Sequence, residues 1–503
     1  MSEVVRLDPG LPSSPAERAA AAQTGSERPA PLTTRTRRLL EDPIAPTLLR
    51  LAAPTVVVMI IQALVSAAEA VFVGWLGAEA LAGVSLVFPL IMLMQTMSAG
   101  GMGGGVASAV ARALGAGRRD DADALAGQAL LIAIVMGGLF TTGALWAGPT
   151  LYRALGGAGG ALAVALAYSN VVFAGASAFW VFNILASVVR GAGNMLLPAG
   201  IVVGGAAVTL AVSPALIVGW GPIPRLGVVG AATALVAYYA LGSLLLLGYL
   251  ASGRGPVRLS VADLRIRRSL LADILRVGLP GSLNTIQTNL TVVFLTGLVG
   301  PFGTFALAGY GMGARLEYLL IPLVFGLGSA LVTMVGTNVG AGQLARAQRI
   351  AWVGAALAGA VTGGIGFAAA VVPRAWLGLF TEHPEILGAG TSYLERVGPV
   401  YGFLGVGLAL YFASQGAGRV FWPLVAGFVR LLTAVVGGWL AIDGLGAGLP
   451  GLFLAIALSL VVFGTTVTVA IGAGAWRSRA STTQPSPEAP RPSIESRPMH
   501  RSD

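Results

Sequence analysis

The sequence predicts an all-α integral membrane protein, with twelve transmembrane helices arranged as two homologous six-helix bundles. Composition is the first observation behind that prediction. Of 503 residues, 55% are hydrophobic and only 10% charged, with a mean hydropathy of +0.81, whereas soluble domains carry about 25% charged residues. The second is an internal repeat. Gly115-Ala116-Gly117 recurs as Gly340-Ala341-Gly342, and Gly191-Ala192-Gly193 with Pro198 recurs as Gly416-Ala417-Gly418 with Pro423, both at an offset of 225. Tyr168 maps onto Tyr393 by the same shift, and a shift one residue longer carries Leu49-Arg50-Leu51-Ala52-Ala53-Pro54 onto Leu275-Arg276-Val277-Gly278-Leu279-Pro280.

The third observation is the length of the apolar runs. Crossing about 30 Å of hydrocarbon takes about 20 apolar residues. Runs of that kind lie over 48–75, 83–110, 122–148, 161–188, 196–219 and 227–250, and again over 273–299, 304–336, 347–372, 387–413, 420–442 and 449–475. The expected organisation is a disordered tail (1–46), a first bundle (47–250), a linker (251–271), a second bundle (272–476) and a second disordered tail (477–503). The tails are rich in Pro, Ser, Thr, Ala and Arg and lack an apolar period. No charged-then-apolar stretch with a cleavage site opens the chain, so insertion is expected to use the first span itself.

Arginine orients the stack. All 31 basic residues are Arg. Most fall in the tails and the even-numbered connections, and only Arg153, Arg225 and Arg374 sit in the opposite loops. By the positive-inside rule both termini and the middle linker are cytoplasmic in a multi-pass cell-membrane protein. The net charge of +10 is then topological, spread over loop ends, and gives no soluble basic face for nucleic acid.

Missing residue types exclude several chemistries. Without lysine the chain cannot form a P-loop. His383 and His500 are its only histidines, so His-Glu-x-x-His zinc chemistry and an intramembrane Ser-His-Asp triad lack their parts. Without cysteine there is no disulfide or thiolate metal site. An enzyme, a resident cofactor and a bound metal are not expected. Paired halves are instead the build of many secondary transporters, which rock around a site near the bilayer midplane. One charge moved through the membrane potential supplies about 2.3 kcal/mol per 100 mV.

Several motifs then resemble a family. Leu49-Arg50-Leu51-Ala52-Ala53-Pro54, Glu69-Ala70-Val71-Phe72-Val73-Gly74-Trp75-Leu76-Gly77 and Ala111-Arg112-Ala113-Leu114-Gly115-Ala116-Gly117 are similar to the first-half signature of multidrug and toxic compound extrusion (MATE) transporters. Arg190-Gly191-Ala192-Gly193-Asn194, Gly313-Ala314-Arg315-Leu316-Glu317, Gly336-Thr337-Asn338-Val339-Gly340-Ala341-Gly342 and Gln415-Gly416-Ala417-Gly418 are similar to its helix-end motifs. The resemblance covers residues 47–475. It implies a V-shaped pair of bundles that exports amphipathic drugs or metabolites in exchange for protons or sodium. A flippase of lipid-linked precursors, or a polysaccharide exporter of the related superfamily, is the alternative.

Glu69 is the first candidate for ion coupling. It is the only acid in the interior of the first six spans, Asp123 standing at the very start of the third, and it stands where the family usually carries an aspartate. An ionisable group within a span is costly and marks function by default; a carboxyl there can take a proton on one side and release it on the other. Where the family often has Asn and Asp in the fifth span, this chain has Thr209 and Ser213. With Glu69 these oxygens also make a conceivable sodium site. Gln62 and Ser66 share a helix face with Glu69 and are expected to line the cavity, as is Asn183 in the fourth span. Asn284, Gln287, Thr288 and Thr291 form an i, i+3, i+4, i+7 stripe on the seventh span, read either as cavity lining or as interhelical hydrogen bonding. Arg315, Glu317, Glu395 and Arg430 are expected to form an intramembrane charge network in the second bundle. The expected partners are an amphipathic small molecule, a coupling cation and the lipid bilayer, with the chain acting as a monomer.

Overall fold

A computed structural model describes residues 33–220 and 224–476. The predicted tail 477–503 and residues 1–32 of the amino-terminal tail lie outside the described residues. The rest of that tail is not as expected. Helix α1 (Thr34–Glu41) begins at Thr33, whose Oγ1 accepts a hydrogen bond from the Thr36 amide at 3.2 Å, a side-chain cap on an orphan donor. Leu39 and Leu40 are buried, and the Leu39 carbonyl accepts from Asn338 Nδ2 at 3.1 Å. One amphipathic turn among arginines is too short a period to stand out in the sequence, but the rest of the protein supplies it with a partner.

The first lobe comprises α2 (Ile44–Gly74), α3 (Ala78–Gly115), α4 (Arg119–Ala154), α5 (Gly159–Ala174), α6 (Ala176–Gly191), α7 (Leu196–Val218) and α8 (Val228–Ala251). The second comprises α9 (Arg268–Val299), α10 (Thr304–Gly340), α11 (Leu344–Val371), the short α12 (Pro373–Leu377), α13 (Pro384–Val397), α14 (Tyr401–Gly416), α15 (Phe421–Trp439) and α16 (Gly448–Gly472). Among the described residues eleven helical runs are long and apolar enough to span a membrane, and the bent pair α5–α6 makes the twelfth. The single span expected over 161–188 is therefore broken, by 49°. The break falls at Gly175, where the side chain of Val236 on α8 fills the space a Cβ would need. The linker is also structured: a 3-10 turn occupies Val261–Leu264, and Gln128 Nε2 donates to the Arg265 carbonyl at 2.8 Å. Large apolar side chains such as Leu64, Val293 and Val469 project outward, as a lipid-facing surface requires.

Small residues set the contact between the lobes. The glycine run in α3 forms a π turn over Met97–Met102, and this segment packs on α9. A Cβ at Gly101 would lie 2.7 Å from the Ser282 amide nitrogen, and one at Gly105 2.7 Å from the Gly278 nitrogen. Further along, the ends of α3 and α10 cross. A side chain on Gly115 would collide with the Thr337 carbonyl, and one on Gly340 with the Arg112 carbonyl. The offset of 225 carries Gly115 onto Gly340 and Arg112 onto Thr337, so the contact is a pseudo-two-fold pair. Hydrogen bonds repeat the symmetry: Ser108 Oγ donates to the Gln415 carbonyl, and its mate Thr333 Oγ1 donates to the Arg190 carbonyl at 3.0 Å. Arg112 adds an ion pair to Asp273 of the other lobe at 2.8 Å. The lobes are thus closed on one another at the end rich in arginine.

Inside the second lobe, Arg430 Nη2 of α15 donates to Glu317 Oε1 of α10 at 2.9 Å, with both side chains 15% exposed. The Arg430 guanidinium also lies 5.7 Å from the centre of the Phe463 ring.

Two outcomes follow from this packing. Because the chain has no cysteine, a cysteine introduced at Ser108 is a unique label; it should resist a water-soluble maleimide in the parent and become reactive when Gly340→Val props the helix ends apart. Protection that survives Gly340→Val would contradict the close contact. Removing one partner of a buried ion pair strands the other, so Glu317→Ala should cost about 3–5 kcal/mol. The double variant Glu317→Ala/Arg430→Ala should lose less than the sum of the two single variants in thermal unfolding.

Candidate functional site

The carboxylate of Glu69 sits between α2 and α7, which pack side by side. Ser213 is fully buried, and its Oγ donates to Glu69 Oε2 at 3.0 Å. Glu69 Oε1 is buried with no hydrogen-bond partner among the described residues. Thr209, one turn earlier on α7, is buried as well. Pro214 follows Ser213 within the helix and has no amide hydrogen to offer the Leu210 carbonyl. A half-satisfied acid amid hydroxyls can take a proton or contribute to an oxygen-lined cation site; the free oxygen is what either would occupy.

The structure therefore brings Glu69 together with Ser213 and places Thr209 on the same stretch of α7. Of the other candidates on α2, Ser66 is exposed and Gln62 half-buried, with Gln62 beside the Tyr238 hydroxyl of α8. Asn183 is turned onto its own helix, where its Nδ2 donates to the Phe179 carbonyl at 3.0 Å.

Much of the α9 stripe is engaged locally. Thr288 Oγ1 donates to the Asn284 carbonyl and Thr291 Oγ1 to the Gln287 carbonyl, both at 2.9 Å. The side-chain amides of Asn284 and Gln287 lie against Gly427 of α15, 2.7–2.9 Å from where its Cβ would be. Gln287 Oε1 is buried and unpartnered. These side chains face the α9–α15 seam.

The expected four-residue charge network reduces to the Glu317–Arg430 pair. Arg315 is exposed and lies over the Phe380 ring at 5.6 Å, while Glu395 is exposed with no ion pair among the described residues. The reason is helical geometry: residues two apart point to different sides, so Arg315 cannot follow Glu317 inward. No group of three or more acidic or imidazole side chains fit to hold a metal occurs among the described residues.

One residue escaped the sequence reading. Arg190 counts there as a loop charge, yet its guanidinium turns inward, donating to Ser187 Oγ at 2.8 Å and lining a cleft between the lobes. Its repeat mate Gln415 lines the same cleft, and the offset of 225 was the signal that pairs them.

Comparison with known proteins agrees with this architecture. The sequence model of the MatE family matches residues 54–215 and 280–440, one segment in each lobe. The FAD transporter of Shewanella oneidensis is 28% identical over 435 residues, which cover 85% of this chain and 94% of that protein. The probable multidrug resistance protein NorM of Thermotoga maritima is 25% identical over 444 residues, covering 87% and 94%. A solved structure of an outward-facing multidrug resistance MATE family transporter of the MOP superfamily superposes with a TM-score of 0.79 at 26% identity, covering 88% of this chain and 99% of that one. The duplicated helical lobes, the match within each and the likeness along nearly the whole length of these relatives agree: the chain belongs to the MatE family of multidrug and toxic compound extrusion transporters.

Proposed function

We propose that the protein exports amphipathic small molecules by alternating access, driven by protons that load and leave Glu69. The observation that carries this reading is the Glu69 carboxylate, with one oxygen held by Ser213 and the other buried and free. A carboxyl with a vacant acceptor inside a span is positioned to bind one proton, and the coupled energy of proton entry can then drive the lobes between two closures. Sodium is the second candidate, with Glu69, Ser213 and Thr209 as its ligands; a single carboxylate and two hydroxyls make a sparse oxygen set beside the six or so that hard cations commonly take. The closed arginine-rich end, together with the likeness to an outward-facing transporter, supports a conformation open away from the cytoplasm. The positive-inside rule supports cytoplasmic termini in a cell-membrane protein, read here as a monomer without a resident cofactor.

Two cargo classes are in view. The relatives named as multidrug resistance proteins favour a broad range of amphipathic drugs, and the relative named FAD transporter favours a flavin dinucleotide or a similar metabolite.

Vesicle transport with pH and sodium varied independently tests the coupling. Efflux of a fluorescent organic cation should follow the pH gradient without sodium, and Glu69→Gln should abolish that dependence while leaving the protein folded. Undiminished pH-driven efflux in Glu69→Gln removes Glu69 from the mechanism; efflux that follows sodium alone transfers the role to the cation site.

A further inference from the structure

The cleft between the lobes lies on the pseudo-two-fold axis. The offset of 225 carries Gly104, Ser187 and Arg190 of the first lobe onto Ser329, Phe412 and Gln415 of the second, and all six line it. The two halves thus supply equivalent positions to one floor, and duplication would make the floor symmetric. It is not symmetric in charge: where one half gives the amide of Gln415, the other gives the guanidinium of Arg190.

Arg190 also lines a second cleft, between α2, α6 and α7, with Thr55, Met59 and Val202 among its neighbours. No acid lines either cleft. The ion pairs among the described residues engage Arg112, Arg118 and Arg430, never Arg190. Its one side-chain bond to protein is to the neutral Ser187 hydroxyl, although a guanidinium carries five N–H donors. Glu69 does not serve as its counter-ion: the wall residue Thr55 and Glu69 are fourteen residues apart on α2, about 21 Å at helical rise. A charge within a membrane domain is retained where it meets a partner or marks a solute pathway, and among the described residues no anion meets this cation.

We propose that Arg190 is the anion-binding subsite of the transport cavity, taking a phosphate or similar oxyanion carried by an otherwise apolar solute. The apolar remainder of the solute then rests on Phe325 and Phe412, which line the same cleft. Planar guanidinium groups bind phosphate by paired N–H···O bonds, and Gly100 leaves the cleft wall beside Phe325 free of a side chain. The inference rests on the reading of the chain as an exporter of amphipathic molecules and narrows its cargo. It also assigns the two ends of the α2–α7 seam different tasks, solute at Arg190 and coupling ion at Glu69.

Riboflavin and riboflavin 5′-phosphate test this, because they share one fluorescent ring system and differ by one phosphate. Equilibrium binding is measured to the full-length protein in phosphatidylcholine nanodiscs, and again with one-third phosphatidylglycerol. The parent should bind the phosphorylated form at least about tenfold more tightly, the size expected from charge-assisted hydrogen bonds. Arg190→Gln should erase the difference, and Arg190→Lys should keep part of it. Preference unchanged by phosphatidylglycerol assigns the site to the solute phosphate; preference lost there assigns it to a competing lipid headgroup of the same chemistry. Equal binding of the two flavins by the parent overturns the proposal, even if Arg190→Gln does not fold, as does failure of both to bind or a preference that survives Arg190→Gln. Glu69→Gln should leave the binding preference intact, so failure of the export reading appears in the vesicle assay and failure of the anion subsite in the binding assay.

Discussion

The contact at the crossing of α3 and α10 is made by main chain rather than by side chains, and much of the architecture depends on it. Gly115 sits on the Thr337 carbonyl and Gly340 on the Arg112 carbonyl, which brings the two lobes as near as polypeptides can come. In lipid, where apolar surface gains little by leaving its surroundings, such close approach is how helices associate. It explains why a protein with 72 glycines is not loosely built: the glycines at the crossing are where another chain segment already occupies the space. It also makes closure of this end nearly all-or-none, since the Ser108 and Thr333 hydroxyls reach the opposite lobe only when the backbones meet.

From that closure the polar interior acquires a direction. Arg190 and Gln415 lie at the floor of the interlobe cleft, whereas Glu69 lies far along α2 toward the other end. The energetic logic of the two places differs. At Glu69 one carboxylate oxygen accepts from Ser213 and the other is a buried acceptor without a partner among the described residues. At Arg190 unused donors wait for acceptors. The Glu317–Arg430 pair, by contrast, is complete within the second lobe and serves as a fixed joint between α10 and α15.

Much of this was legible in the sequence. The apolar runs gave the spans because a bilayer imposes length, and the repeat offset gave the pairing of lobes because the same motif folds the same way twice. Glu69 was legible as the only acid deep within a first-half span, and Ser213 as its companion by position in the family pattern. What stayed hidden depends on orientation about a helix axis. Arg315 and Glu317 are two residues apart and look alike in the sequence, yet one faces Phe380 and the other Arg430. The α9 stripe is a true helical face, but which neighbour it meets is decided by Gly427 of α15. Arg190 was read as topological charge because its neighbours in sequence mark a helix end; only the fold shows that its side chain turns back between the lobes. The break at Gly175 was invisible for a similar reason, since it answers to Val236 some sixty residues away.

Helix α1 adds one last consequence. Its Arg35 and Leu39 side chains cover Gly193, the turn after α6 in the first lobe, while the Leu39 carbonyl is held by Asn338 at the end of α10 in the second. Asp42, just beyond α1, is bound through its carbonyl by Arg346 at 2.5 Å. A single short segment is therefore stapled to both halves at once, like a clasp across a hinge. Parting those halves at this end would therefore break contacts made by a stretch of chain outside the twelve spans.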